Sequence, residues 1–208
     1  MSYDTLLDIA SHRRSVRRFT TAPVSRDDLE RIVTVGMEAP SGANLQPWDV
    51  VIVDDPDLKN QVSQFLLDGI GEKKTAKGFV NAGAFILLYG DDRTRRLTPP
   101  ALQGNDAWWH FTLNTSLANA FMCMQLAAAS LGLGTQWVSA FRNPAVDGPT
   151  RELLNIPAEF KIYEMMAVGH PDIKIAPKKL RDIGNVVHYN RAENYRSVEE
   201  LDREHRRG

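Results

Sequence analysis

Apolar residues recur along the chain with two different periods, and the switches between them mark out the elements. Ser25 and Asp28 have the spacing of a helix N-cap and an acidic first turn, and behind them Leu29, Ile32, Val33 and Met37 follow at helical spacing. They predict a helix over residues 26–38, ended by Pro40. The run "DVVIV" (49–53) is short and β-branched, and Asp54, Asp55 and Pro56 supply a cap and an N1 proline, so a strand passes straight into a helix. Three further strands are predicted at "AGAFILLYG" (82–90), "GTQWVSA" (134–140) and "KIYEMMAVG" (161–169), each bounded by Gly, Pro or charge. Between the second and third strands lies the longest periodic stretch, "TLNTSLANAFMCMQLAAASLGLG". Leu113, Leu117, Ala120, Phe121, Met124 and Ala128 form one stripe of it, and Leu126, Ala127 and Leu131 carry the stripe around the cylinder. A helix apolar nearly all round has to be buried, in a large core or against a second chain. The polar stretch 186–208 contains "VEELDREHRR", helical in composition but almost without an apolar face, and predicts a C-terminal arm.

Helices and strands are thus interleaved, without a repeat or linker that would divide the chain, and 208 residues fit one domain, 1–208, carrying that arm over 186–208. Composition removes several function classes. With 25 Lys+Arg against 26 Asp+Glu there is no excess of charge for a polyanion, which excludes nucleic acid as a default partner. No apolar run reaches the roughly 18 residues of a membrane span, and the opening Met-Ser-Tyr-Asp-Thr has neither the basic nor the apolar region of a secretory signal, so a cytoplasmic, membrane-free protein is expected. The single cysteine, Cys123, sits among Phe121, Met122, Met124 and Leu126 and reads as a buried small hydrophobe. The five histidines have no metal-ligand spacing, so no metal is expected.

Against this neutral background, "HRRSVRRFT" (12–20) packs Arg13, Arg14, Arg17 and Arg18 around one serine. Guanidinium forks bind phosphate bidentately, although such a cluster alone more often marks a solvated or nucleic-acid-facing patch. "APSGANLQPWDVVIV" (39–53) sets a Pro-Ser-Gly-Asn loop before a buried strand. A loop of this kind presents backbone N–H groups, and Asn44 and Gln46 add paired donors and acceptors suited to an amide-like ring edge. The glycines of "SLGLGTQW" (130–137) end the long helix and let the main chain approach something flat. Trp108, Trp109 and His110 precede that helix. One indole packing while the other shields the helix entrance, and at least one covering a cofactor or substrate, are the two readings of this pair.

Taken in order, "RRSVRRF", "PSGANLQPW" and "LGLGTQW" make the chain resemble the FMN-dependent nitroreductase superfamily, from about residue 6 to residue 189. The resemblance implies an α+β fold with a central, mainly antiparallel sheet flanked by helices. It also implies an intertwined homodimer with FMN at the interface and NAD(P)H as co-substrate. It assigns Arg13 and Ser15 to phosphate and ribityl oxygens, Arg17 to the pyrimidine edge and Arg14 close by. Pro40, Ser41, Gly42 and Asn44 come from the partner chain, with Gln46 mainly bracing their loop, and Trp137, Val138 and Ser139 line the ring. In "PKKLRDI" Lys179, or else Lys178, takes the family's phosphate-binding basic position. Trp108 and Trp109 are the candidate substrate-side residues.

The activity implied is transfer of hydride from NAD(P)H through FMN to nitroaromatic, quinone or similar acceptors, by a ping-pong scheme. Ser139 stands where several members carry an acidic residue near flavin N5. In the halotyrosine deiodinase branch a threonine hydroxyl donates to N5, so Ser139 keeps a one-electron reductive dehalogenase as the alternative. The segment "FLLDGIGEKKTAKGFVNAG" (65–83) argues against it, because it offers Glu72 and lysines but lacks the tyrosine of the deiodinase lid. The dimethylbenzimidazole synthases, a further branch, are not favoured by "SGANLQPW". A flavin-binding or redox-sensing module without turnover is the remaining possibility.

Overall fold

The structure is a computed structural model and describes residues 2–70, 74–176, 178, 180–192 and 195–205. Two compact units are present, 1–175 and 176–208. The first holds helix α1 (Tyr3–His12), α2 (Arg26–Met37), strand β1 (Trp48–Val53), α3 (Pro56–Ile70), β2 (Ala84–Asp91), a short α4 (Pro100–Gln103), the long α5 (Asp106–Ser130), β3 (Gly134–Val138), α6 (Pro144–Leu154) and β4 (Phe160–Gly169). The second holds a short 3-10 turn at Ile183–Asn185 and α7 (Val198–His205). No helix of the described residues is long and apolar enough to cross a membrane.

Local chemistry places the helix starts. The Ser25 hydroxyl accepts from the Asp28 N–H at the head of α2, and the Asn105 side chain accepts from the Trp108 N–H at the head of α5. Asp55 accepts from the N–H groups of Asp57 and Leu58 at 3.0 and 2.9 Å, an N-cap that starts α3 immediately after β1.

The four strands form one antiparallel sheet in the order β1-β2-β4-β3. Its central strand β2 is a continuous apolar run because both faces are covered. Phe85 and Leu87 join a cluster with Val62 and Leu66 of α3 and Val146 of α6, while Ala84, Ile86 and Leu88 join Leu29 and Ile32 of α2 and Leu117, Phe121 and Met124 of α5. Every residue of the predicted α5 stripe is buried in this second layer. The helix is therefore the floor of one face of the sheet, and it leaves Phe111 (70% exposed) and Met122 (42%) outward. Trp48 and Cys123 are only half-buried at the edge of that layer, short of the full burial expected for the cysteine.

Candidate active site

The arginine segment is tied to the sheet by its apolar residues. Val16 and Phe19 are buried, and the Val16 N–H donates to the Thr135 carbonyl at 2.8 Å, so residues 15–16 run parallel to the start of β3. Gly134 permits this approach, since a Cβ there would lie 2.7 Å from Val16 Cγ2. Thr20 and Asp172 extend the pairing along the segment 170–172 that follows β4. With the backbone fixed, the guanidiniums are sorted. Arg18 is held by Asp172 at 3.2 Å. Arg13, half-buried, donates from Nη1 to Oε1 of the buried Gln125 at 3.3 Å, and Arg17 turns back on the Ser15 carbonyl at 3.5 Å. Arg13, Arg14 and Arg17 have no carboxylate partner among the described residues. Three neighbouring cations without counter-charge fit a phosphorylated ligand.

The loop at 40–47 carries backbone strain. Ala43, Asn44 and Gln46 have φ of 52°, 53° and 47°, a left-handed conformation that costs non-glycine residues about 1 kcal/mol or more each. It is held in that shape by α5. Ser116 Oγ accepts from the Gly42 N–H at 3.2 Å, and Asn119 donates to the Pro40 carbonyl at 3.2 Å. Within the loop, Ser41 Oγ accepts from the Gln46 N–H at 3.0 Å and the Gln46 amide donates to Asn44 Oδ1 at 3.3 Å. Gln46 thus braces the loop, and Ala43 and Asn44 are exposed at its tip.

At the far end of β3, Trp137 is 38% exposed and leans on Phe121 with ring centroids 4.4 Å apart; Val138 is buried and Ser139 is exposed. Beside them lies Glu164 of β4, its carboxyl near enough to Trp137 and Ser139 for both to favour its ionised form. Burial pushes that carboxyl above the usual range; the hydrogen bonds and the charge of Arg142 oppose the shift without cancelling it. Burial, with the Glu164 charge second, raises the adjacent Tyr163 phenol too.

The structure divides the tryptophan pair. Trp109 is 1% exposed and its Nε1 donates to Asp92 Oδ1 at 2.9 Å, so it is a core residue and cannot touch a substrate, contrary to its candidacy on the substrate side. Trp108 is half-buried and His110 exposed. Lys178 belongs to the second compact unit, and Lys179 and Glu72 lie outside the described residues. Sequence reasoning missed Glu164, Gln125 and the Ser116–Asn119 tether. Their signal was visible: Thr112, Ser116 and Asn119 recur at helical spacing inside an apolar helix, and Glu164 is a lone carboxylate in the run "IYEMMAV".

Residues 10–170 match the Nitroreductase family. The chain is 30% identical to an NADPH-flavin oxidoreductase of Vibrio harveyi over 190 residues, covering 90% of this chain and 74% of that one. It is 27% identical to an iodotyrosine deiodinase of Thermotoga neapolitana, over 80% of this chain and 89% of that one. The solved structure of nitroreductase A from Vibrio parahaemolyticus superposes with a TM-score of 0.77 at 25% identity, covering 99% of this chain and 83% of the other. The sheet order, the buried long helix and these matches together place the chain in the nitroreductase family.

Proposed function

We propose that the Arg13–Arg17 segment, the 40–46 loop and the end of β3 together hold FMN at the interface of a homodimer. Membership of the family makes the chain an NAD(P)H-dependent flavin oxidoreductase with FMN as its cofactor. The observation that carries the site assignment is the set of three arginines without carboxylate partners, lying along the same strand whose other end exposes Trp137 and Ser139. Arg13, Arg14 and Ser15 bind the phosphate and ribityl oxygens, and Arg17 sets a fixed positive charge at the pyrimidine edge. Pro40, Ser41, Gly42 and Asn44, contributed by the second copy, present short polar groups to the ring, and the tethers to Ser116 and Asn119 hold that strained loop in one shape. Trp137 and the main chain of Val138, whose side chain is in the core, flank the ring, Trp108 limits the substrate space, and Ser139 stands nearest N5. Bound FMN supplies the hydride relay from NAD(P)H to a nitroaromatic or quinone acceptor, the two half-reactions sharing one site.

The exposed Phe111 and Met122 on α5, with Val35 and Met37 on α2, give the second copy an apolar surface to cover. One domain spans 1–208, with 186–208 its arm, and the expected compartment is the cytoplasm. Reductive dehalogenation is the second reading, favoured by the Ser139 hydroxyl and by the similarity to an iodotyrosine deiodinase.

The deciding experiment is spectroscopic. The purified protein should elute as a dimer, be yellow with about one FMN per chain, and bleach anaerobically with NADH or NADPH. Re-oxidation by a quinone or nitroaromatic supports the first reading, and by a halophenol the second. Protein that takes up no flavin overturns the site assignment, and flavin that neither nucleotide bleaches overturns the catalytic one.

A further inference from the structure

Glu164 has no task in the scheme above, yet among the described residues it is the only charged side chain that is buried, at 7% exposure. Its Oε2 is enclosed with no hydrogen-bond partner among the described residues. An orphaned carboxylate oxygen in a sheet interior costs free energy, so the sequence bears that cost for a reason or keeps the group neutral. The register explains its neighbours. Val138 pairs with Met165, so the next residues along the two strands are Ser139 and Glu164. The pairing of β2 with β4 slips at this point, Leu88 facing Glu164 and Tyr89 facing Ile162, which leaves Tyr163 as the extra residue of a β-bulge. Bulges re-aim side chains next to functional sites.

The two groups at the carboxyl differ in what they can do. The Trp137 indole N–H can only donate to the carboxyl, whereas the Ser139 hydroxyl can donate or accept. An ionised Glu164 takes the serine proton inward. A protonated Glu164 donates a hydrogen bond from its own O–H to Ser139 Oγ, and the hydroxyl hydrogen must then turn outward, to the open end of β3. We propose that Glu164 is a positioning residue whose proton sets which way the Ser139 hydroxyl points.

The titratable and charged groups facing it are Arg142 from the turn after β3 and the Tyr163 phenol beside it on β4; from α5 the Phe121 ring packs on its neighbours Tyr163 and Trp137. Arg142 favours the ionised form, burial favours the protonated form, and burial is the larger. Both hydroxyl directions are therefore reached as pH moves through a window above the ordinary carboxyl range. The consequence for the flavin rests on the reading that Ser139 stands nearest N5: at the low end of the window the ring meets a donor there, at the high end a lone pair.

Flavin-free protein tests the proton switch by itself. The infrared carbonyl-stretch band of a buried protonated carboxyl should be present in wild type, absent in Glu164→Gln, and shifted in Ser139→Ala, because the acid then has no hydroxyl to donate to. Tryptophan fluorescence should show a transition over the same pH window as the loss of that band, and the transition should vanish in Trp137→Phe and Glu164→Gln. A band that Ser139→Ala leaves in place overturns the proposal, as does a fluorescence titration identical in wild type and Glu164→Gln. The FMN-loaded protein supplies the last arm. The visible spectrum should follow the same window in wild type and be pH-independent in both Ser139→Ala and Glu164→Gln. The glutamine should hold the low-pH spectrum, since its carbonyl takes the indole N–H and its amide donates to Ser139. A loaded wild type with no such pH dependence overturns the switch and leaves the FMN site standing. A chain that binds no FMN overturns that site, while the infrared arm still decides the switch.

Discussion

Gly42 joins the strained loop to the long helix, and adding a single methyl there tests how that junction works. A Cβ at Gly42 would land far inside van der Waals contact distance of Thr112 Cγ2, on the buried side of α5. Thr112 cannot easily turn away, because a β-branched side chain in a helix has few χ1 states. The loop cannot easily lift either, because the Gly42 N–H is bonded to Ser116 and the Pro40 carbonyl to Asn119. Overpacking at such a site costs about 1–3 kcal/mol. At about 2–4 °C per kcal/mol for a chain of this size, Gly42→Ala should lower Tm by roughly 2–12 °C. Thr112→Ser alone removes one buried methyl and should cost about 1 kcal/mol. In the double variant the new methyl occupies the vacated space, so the two costs should largely cancel. The assay is thermal unfolding by circular dichroism of flavin-free protein at one fixed concentration, since ligand and dimerisation both move Tm. If the two costs instead add to within about 0.5 kcal/mol, the methyl is not meeting Thr112 and the proposed contact is refuted.

Arg13→Ala should weaken FMN retention by about 10- to 100-fold, the worth of one charge-assisted hydrogen bond at roughly 1.5–3 kcal/mol, while leaving kcat at saturating FMN nearly unchanged, because a phosphate contact is equal in ground and transition states. Ultrafiltration of the loaded protein measures the first and steady-state rates the second; a fall in kcat at saturation matching the loss of retention would contradict the placement. Glu164 makes stability depend on pH with a definite sign. Its folded-state pKa lies above the unfolded value, so the folded chain holds the proton more tightly, and the contribution is full below the ordinary carboxyl range and lost as pH rises through the folded value. Urea midpoints of Glu164→Gln should therefore exceed those of wild type at neutral pH and converge with them toward acid. A gap that widens on acidification would reverse the assigned direction.

Local pattern determined the four strands and the helices α2, α3 and α5, while α1, α4 and α6 went unpredicted. The predicted strands and the two helices with N-cap signals, Ser25 and Asp55, coincide with the folded ones to within a few residues, because caps, β-branched runs and an apolar stripe are local or nearest-turn effects. The arginine cluster and the Pro-Ser-Gly-Asn loop were equally legible, since a charge run and a turn sequence need no fold to be seen. What the sequence left open were differences of environment. Arg13, Arg17 and Arg18 are the same residue type, and only the approach of Asp172 gives one of them a carboxylate partner. Trp108 and Trp109 are adjacent in the chain, yet one residue's step around the helix buries the second against Asp92 and leaves the first half-buried. Glu164 reads as a blemish in an apolar strand until the register of β3 and β4 and a one-residue bulge bring Ser139 and Trp137 to it. Pairings across tens of residues depend on sheet register, and desolvation depends on everything packed around a group, so neither can be read from a window of neighbours. The local pattern determined which chemistry the chain carries; the tertiary structure decided which of those groups are paired, which are exposed and which are buried.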